Sequence, residues 1–202
     1  MQLSLSQILV LAVVQGVAEF LPVSSSGHIV VLSHFMQQRG SNPPDIGDLS
    51  IVLHVGTLFS ILVFYHQRIL RLMTADRRII GMLILGTIPA VVVGLPIKKL
   101  CEHILENPWI AGGMFPVTGA ALLFLSSRPA GKVEYPQMTL RQAVFIGISQ
   151  AFAILPGLSR SGSTIATGVG TGLTRNSAAA FSFLLAIPVI AGAGILESID
   201  VW

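Results

Sequence analysis

Two long apolar stretches of this chain, at about residues 3–36 and 140–172, are each broken near the middle by proline, serine and glycine. The breaks read Pro22-Val23-Ser24-Ser25-Ser26-Gly27 and Pro156-Gly157-Leu158-Ser159-Arg160-Ser161-Gly162. In water a broken helix is unremarkable, because solvent takes over the freed backbone groups. In hydrocarbon it is allowed only where protein or a wet cavity satisfies them. Composition says which solvent applies: apolar residues make up 52% of the 202 and charged residues 10%, against about a quarter charged in soluble domains. Uninterrupted apolar stretches at about 49–66, 79–97, 108–126 and 177–196 approach the ~20 residues that cross a ~30 Å core. The chain is therefore expected to sit in a membrane. No Lys or Arg precedes Arg39, and the first stretch contains Gln15 and Glu19. It lacks the basic start of a signal peptide and is expected to stay in the mature protein.

Each half of an interrupted pair is short for a crossing, so each pair is expected to dip into the bilayer and return. The pairs also match one another. Gln15 and Gln150, Ser24 and Ser159, Ser26 and Ser161, and Gly27 and Gly162 share an offset of 135 residues, the mark of a duplication. Three spans between the hairpins would bring the second in from the opposite face, as in inverted-repeat folds whose half-helices form binding sites. The predicted fold is all-α, a polytopic membrane protein with inverted-topology repeats: two re-entrant helical hairpins plus about four transmembrane helices. One membrane domain would cover 1–202, with repeat one at about 1–126 and repeat two at about 140–202. Arg68, Arg71, Arg77, Arg78, Arg128, Lys132, Arg141 and Arg175 fall on one side of this topology, against Arg39, Lys98 and Lys99 on the other. Eight against three puts the basic side in the cytoplasm, with both termini and the first hairpin's mouth outside.

The polar residues of the breaks suit an anion. Gln15 and Glu19 are spaced i, i+4 on one helical face, and Glu19 is the only acid in the first 44 residues. An ionisable group at this depth is a functional candidate by default. Ser24, Ser25 and Ser26 stand where the next helix should begin. One of them would serve as a cap; three, with Gly27 allowing close approach, exceed a cap and make a seat for phosphate at a helix N-terminus. His28 lies a turn beyond Ser24 and Ser25, within reach of a hydroxyl or a bound phosphate. In the second break Arg160 offers the rigid fork of donors that matches phosphate oxygens. Ser159, Ser161, Ser163 and Thr164 add hydroxyls, and Gly162 repeats Gly27. The sum fits a diphosphate. Arg160 would stabilise charge on the transferring phosphoryl group, and Glu19 would hold a bridging divalent cation or act as a base. The nucleophile would be a serine activated by His28 or Glu19, or a water.

Other features point less sharply. Cys101 is alone, which excludes an intramolecular disulfide or a cysteine-based zinc site. The net charge of +3 comes from residues scattered through loops, so no nucleic-acid partner is expected. His34, His54, His66 and His103 read as structural or interfacial, although His54 lies inside a span near Thr57 and is a candidate to line a cavity.

The run from Gln15 to His28 (Gln-Gly-Val-Ala-Glu-Phe-Leu-Pro-Val-Ser-Ser-Ser-Gly-His) resembles the signature of the bacitracin-resistance-type undecaprenyl-diphosphatase family. So does Pro156–Thr164, and Gly86–Ala90 and Phe181–Pro188 are similar to further family blocks. The resemblance implies hydrolysis of undecaprenyl diphosphate to the monophosphate, recycling the carrier for wall polymers and conferring resistance to bacitracin. It implies a bacterial inner membrane, a site open to the outer side, and a magnesium or calcium requirement. In the family's motif Glu19 matches a catalytic acid and metal ligand, Ser25 the nucleophile and His28 its partner. Arg160 matches the phosphate-binding arginine, with Ser159, Ser161 and Thr164 as supporting hydroxyls.

Two departures stand out. Gln15 replaces the first member of the family's acidic pair, leaving one carboxylate. The resemblance also implies two further spans after 177–196, whereas this chain stops at Trp202. The second repeat would then be incomplete, with a wall of the lipid groove missing that a homodimer partner would supply. Membrane lipids and a polyprenyl diphosphate are the other expected partners. A flippase for polyprenyl phosphate, or an inactive lipid-binding paralogue, is the alternative function, since inverted repeats with broken helices also build transporters. The Glu/Ser/His cluster favours hydrolysis, because transport needs neither nucleophile nor base.

Overall fold

The computed structural model describes residues 5–38 and 46–200. Its helices are α1 (Leu5–Phe20), α2 (Ser25–Gln38), α3 (Ile46–Phe64), α4 (His66–Met73), α5 (Arg77–Leu100), α6 (Glu102–Leu105), α7 (Pro108–Ser127), α8 (Leu140–Phe152), α9 (Arg160–Gly170) and α10 (Arg175–Asp200). A 3-10 turn spans Tyr135–Gln137. Among the described residues there is no strand, only one isolated bridge between Val133 and Leu173.

Among the described residues, three helices are long and apolar enough to cross a membrane: Arg77–Ile97, Pro108–Ser127 and Arg175–Leu196. They answer three of the four expected spans. The fourth, 49–66, is α3, whose described apolar part, Val52–Phe64, is shorter. The sequence patterning is turned inside out. Helix α1 buries Leu11, Gln15, Ala18 and Glu19 and exposes Leu9, Val13 and Val17. On α5, Ile84, Ile88 and Val92 are likewise exposed. Polar groups inward and aliphatic groups outward is stable where the surroundings are lipid, because there the polar groups are the ones that need protein partners. Pro89 and Pro96 in α5, Pro116 in α7 and Pro188 in α10 stand inside helices, which a membrane bundle tolerates through neighbouring helices and side chains.

Each expected hairpin appears as two helices joined by a short turn. Helices α1 and α2 have 16 and 14 residues, and α8 and α9 have 13 and 11. At ~1.5 Å per residue the longest reaches only about 24 Å. Helix α8 opens with a complete capping box between Thr139 and Gln142, and the Gln142 amide also donates to the Thr171 carbonyl beyond α9 (2.8 Å). The two ends of this hairpin therefore meet.

Basic residues gather at that same end. Arg78 donates to the Met138 carbonyl (2.9 Å), Arg175 to that of Arg128 (3.0 Å), and Arg68 lies over the rings of Tyr65 and Tyr135. Below them, Met82, Leu83, Ile146, Phe181, Leu184 and Leu185 belong to the main core of α5, α8 and α10. Cys101 lies between α5 and α6, outside that core. Cys101→Ser should leave thermal unfolding within about 0.5 kcal/mol of wild type and leave turnover unchanged.

Candidate active site

The two breaks meet. At the first, Ser24 is held at φ 66°, a left-handed conformation that costs a residue with a side chain about 1–2 kcal/mol. Three hydrogen bonds keep it there. Its hydroxyl accepts from the Gly27 amide (3.3 Å), and its carbonyl accepts from the His28 amide (3.3 Å) and from His28 Nδ1 (2.7 Å). At the second break Ser159 caps α9, its hydroxyl accepting from the Gly162 amide (3.0 Å). The same bond thus recurs at positions 135 residues apart. A second pair recurs too: Ser24 Oγ lies 3.4 Å from Ser26 Oγ, and Ser159 Oγ lies 3.3 Å from Ser161 Oγ.

Close approach of the tips depends on glycine. A Cβ on Gly27 would stand 2.7 Å from the Gly157 backbone, and one on Gly157 would stand 2.1 Å from the Ala111 carbonyl oxygen. Gly157 also has φ +87°, and its carbonyl accepts from Thr118 Oγ1 (2.8 Å), which itself accepts from the Ser159 amide (3.0 Å). Helix α7 so fixes the second break. Ser161 ties it to the first by donating to the Leu21 carbonyl (3.3 Å).

Glu19 stands at the centre. Arg160, 141 residues away in sequence, forms an ion pair with its Oε1. The Ser25 hydroxyl donates to Oε2, as does Gln15 Nε2 at 3.1 Å. Glu19 is only 6% exposed and Arg160 16%, so the pair is largely shielded from solvent screening. Arg160 also donates to the Ser182 carbonyl (3.4 Å). Thr164 hydrogen-bonds the Ser182 hydroxyl (2.6 Å) and donates back to the Arg160 carbonyl (2.8 Å), which fixes the root of the arginine.

These groups line one end of a cavity of about 960 Å³, near the top of the usual ~300–1,000 Å³ range for ligand sites. Glu19, Ser24, Ser25, Ser26, Ser159, Arg160 and Ser161 face its polar end. Val55, Leu58, Ala90, Ile154, Val189 and Ile190 make apolar walls. Gln15 and Thr164 support Glu19 and Arg160 from behind. Gly27 and Gly162 serve the contact between the tips.

His28 is placed differently from its expected partnership with Ser25. Its Nδ1 goes to the Ser24 carbonyl and its ring packs edge-on against Phe115, 4.9 Å between centroids, and it does not line the cavity. The positive-φ turn claims it, while the Ser25 hydroxyl goes to Glu19. The imidazole in the cavity is His54, with Nε2 3.3 Å from Gln15 Nε2 and 3.9 Å from Glu19 Oε2. Its signal in the sequence was an ionisable group inside an apolar span. Gln150, paired with Gln15 by the 135-residue offset, also lines the cavity and donates to the Gly86 carbonyl (3.3 Å). Ser182 lay in the Phe181–Pro188 block but was not singled out, and Thr118 carried no signal beyond being a hydroxyl in an apolar helix.

No group of three or more His, Cys, Asp or Glu stands together among the described residues, so no all-protein metal cage is built from them. A lone carboxylate among hydroxyls fits a hard cation of the magnesium type, which takes one or two carboxylates and completes its shell with substrate phosphates and water.

Comparison with known proteins gives the site its context. A family model described as Bacitracin resistance protein BacA matches residues 8–202. An undecaprenyl-diphosphatase of Rhodopirellula baltica is 50% identical over 196 residues, covering 97% of this chain and 75% of that protein. An undecaprenyl-diphosphatase of Desulforudis audaxviator is 40% identical over 198 residues, with 94% and 74% covered. One from Alteromonas mediterranea is 34% identical over 210 residues, with 98% and 77% covered. With a family match over nearly its whole length and relatives of this identity, the chain belongs to the bacitracin resistance protein BacA family.

Proposed function

We propose that this chain hydrolyses undecaprenyl diphosphate to undecaprenyl phosphate and inorganic phosphate, with the diphosphate between Glu19, Ser25 and Arg160. The observation that carries the reading is the shared carboxylate: Glu19 accepts from Arg160 on one oxygen and from Ser25 on the other. Pure binding needs the arginine; only chemistry needs a hydroxyl held against a base.

The steps follow from those contacts. An arriving terminal phosphate takes up the Arg160 guanidinium, whose planar fork matches two phosphate oxygens. The α9 N-terminus, opened by Ser159, presents its amides and positive dipole end to the same anion. Ser25 Oγ then attacks the terminal phosphorus while its proton passes to Glu19 Oε2. The bond from that phosphorus to the bridging oxygen breaks, and undecaprenyl phosphate leaves along the apolar walls. The departing undecaprenyl phosphate takes that proton from Glu19. A water then loses a proton to the freed Glu19 carboxylate and cleaves the phosphoserine, and Glu19 returns the proton to Ser25 Oγ as inorganic phosphate is released. Glu19 and the diphosphate oxygens would together hold a magnesium or calcium ion, which supplies charge neutralisation on the phosphates. Gln15 orients Glu19, and His28 acts by holding the Ser24 turn.

The same reading extends to topology. The matched caps at Ser24 and Ser159 support inverted repeats, and the short α1–α2 and α8–α9 pairs support re-entrant hairpins. The basic end, with Arg78, Arg128 and Arg175, belongs in the cytoplasm by the positive-inside rule. The site then opens outward from the inner membrane, where a bacitracin-sequestered diphosphate would be exposed.

Phosphate release from a short-chain polyprenyl diphosphate in detergent, with acid-quench detection of phosphoserine, tests the proposal. Glu19→Gln should lower turnover about 10²–10⁴-fold, and Ser25→Ala should do comparably and abolish the phosphoenzyme. Full turnover in Ser25→Ala would hand the attack to water. Lipid binding without any release by wild type would leave a flippase or a binding protein.

A further inference from the structure

A second groove, of about 430 Å³, runs down the outside of the molecule between α5 and α8 and shares no lining residue with the Glu19–Arg160 cavity. Its walls are Gly81, Met82, Ile84, Leu85 and Ile88 of α5 with Leu140 of α8. Ile84, Ile88 and Leu140 are 58%, 48% and 61% exposed, so the groove is open to whatever surrounds the helices. Arg78 is its only charged lining residue and stands at one end. The ten steps from Arg78 to Ile88 span about 15 Å along a helix, half of the ~30 Å hydrocarbon core. The groove is one leaflet long, with a cation at headgroup level.

We infer that this groove binds an anionic glycerophospholipid, with its phosphate on Arg78 and one acyl chain along Gly81, Ile84 and Ile88. Arg78 is held over the mouth by donating to the Met138 carbonyl (2.9 Å), and a guanidinium has further donors to give. Arg77 precedes it, Arg141 follows Leu140 in the first turn of α8, and both helices begin at this mouth, adding the positive ends of two dipoles. Asp76, just before α5, is the acid next to this cluster in sequence. A headgroup carrying a positive choline would meet this net positive mouth at a disadvantage; basic pockets between transmembrane helices select anionic headgroups.

The test is lipid binding to the purified full chain in detergent, by native mass spectrometry and by the shift in Tm on titrating phosphatidylglycerol, phosphatidylcholine or inorganic phosphate. Wild type should favour phosphatidylglycerol about tenfold over phosphatidylcholine, the scale of one charge-assisted hydrogen bond. Arg78→Gln should remove that preference. Gly81→Phe should remove binding by filling the groove, because a Cβ at Gly81 meets nothing within 4 Å. Both variants should keep wild-type diphosphate hydrolysis in detergent. Should Arg78→Gln unfold through loss of its Met138 bond, Gly81→Phe decides alone. Equal binding of the two lipids by wild type, undiminished preference in Gly81→Phe, or an equal Tm shift from inorganic phosphate would overturn the assignment.

Discussion

Arg160→Ala is expected to lower kcat/KM for a polyprenyl diphosphate about a thousandfold or more, the scale on which an arginine supports phosphoryl transfer. Two physical effects combine. The site loses the fork that would hold the terminal phosphate, and Glu19, 6% exposed, loses its cationic partner. Leaving one member of a buried pair uncompensated costs about 3–5 kcal/mol, so the variant should also melt earlier. The two effects can be separated. Glu19→Gln combined with Arg160→Gln removes both charges and should recover much of the lost Tm, yet remain inactive. Arg160→Lys keeps the charge without the planar fork and should recover only a small part of the activity. Wild-type turnover in Arg160→Ala would remove the phosphate from this site altogether.

Gly157→Ala should be strongly damaging, because it combines left-handed backbone with a backbone clash. The backbone there sits at φ +87°, and the added carbon would stand 2.1 Å from the Ala111 carbonyl oxygen. Left-handed backbone costs a residue with a Cβ about 1–2 kcal/mol, and overpacking typically adds about 1–3 kcal/mol. The strain cannot relax into a flexible side chain, because the opposing atom belongs to α7's backbone. It can relax only by moving the break, which carries Ser159 and Arg160 away from Glu19. We expect a Tm drop of several degrees with loss of most turnover, read from thermal unfolding and phosphate release on the same preparation. Gly16→Ala is the control: a Cβ there meets nothing within 4 Å, and its Tm should match wild type. Equal Tm values for the two variants would show that the tips are not packed as described.

The helices were legible because lipid leaves a chain few options. Where apolar residues run unbroken the backbone must close its own hydrogen bonds, so 79–97, 108–126 and 177–196 became α5, α7 and α10 within a few residues. The breaks were legible because proline, glycine and serine clustered together favour the end of one helix and the start of the next. That a serine would cap each following helix was also legible, but which serine does so, Ser24 and Ser159, came from the structure. Orientation within the site was less accessible. His28 is one turn from Ser25 in sequence, but helical spacing says only that two residues share a face, not which neighbour each side chain prefers. The left-handed turn at Ser24 offered His28 a backbone carbonyl, and Glu19 offered Ser25 a carboxylate.

Local interactions dictate helices, breaks and caps, because propensity, proline and the cost of bare backbone in lipid act over a few residues and can be read one turn at a time. The meeting of Glu19 with Arg160, the entry of His54 into the cavity and the latch of Thr118 on the second break belong to another class. They join groups 141, 35 and 41 positions apart, and their geometry arises from how α1, α3, α7 and α9 pack, with glycines where backbones touch. A contact between distant segments depends on the sum of all the packing between them, and no single stretch of residues carries that sum.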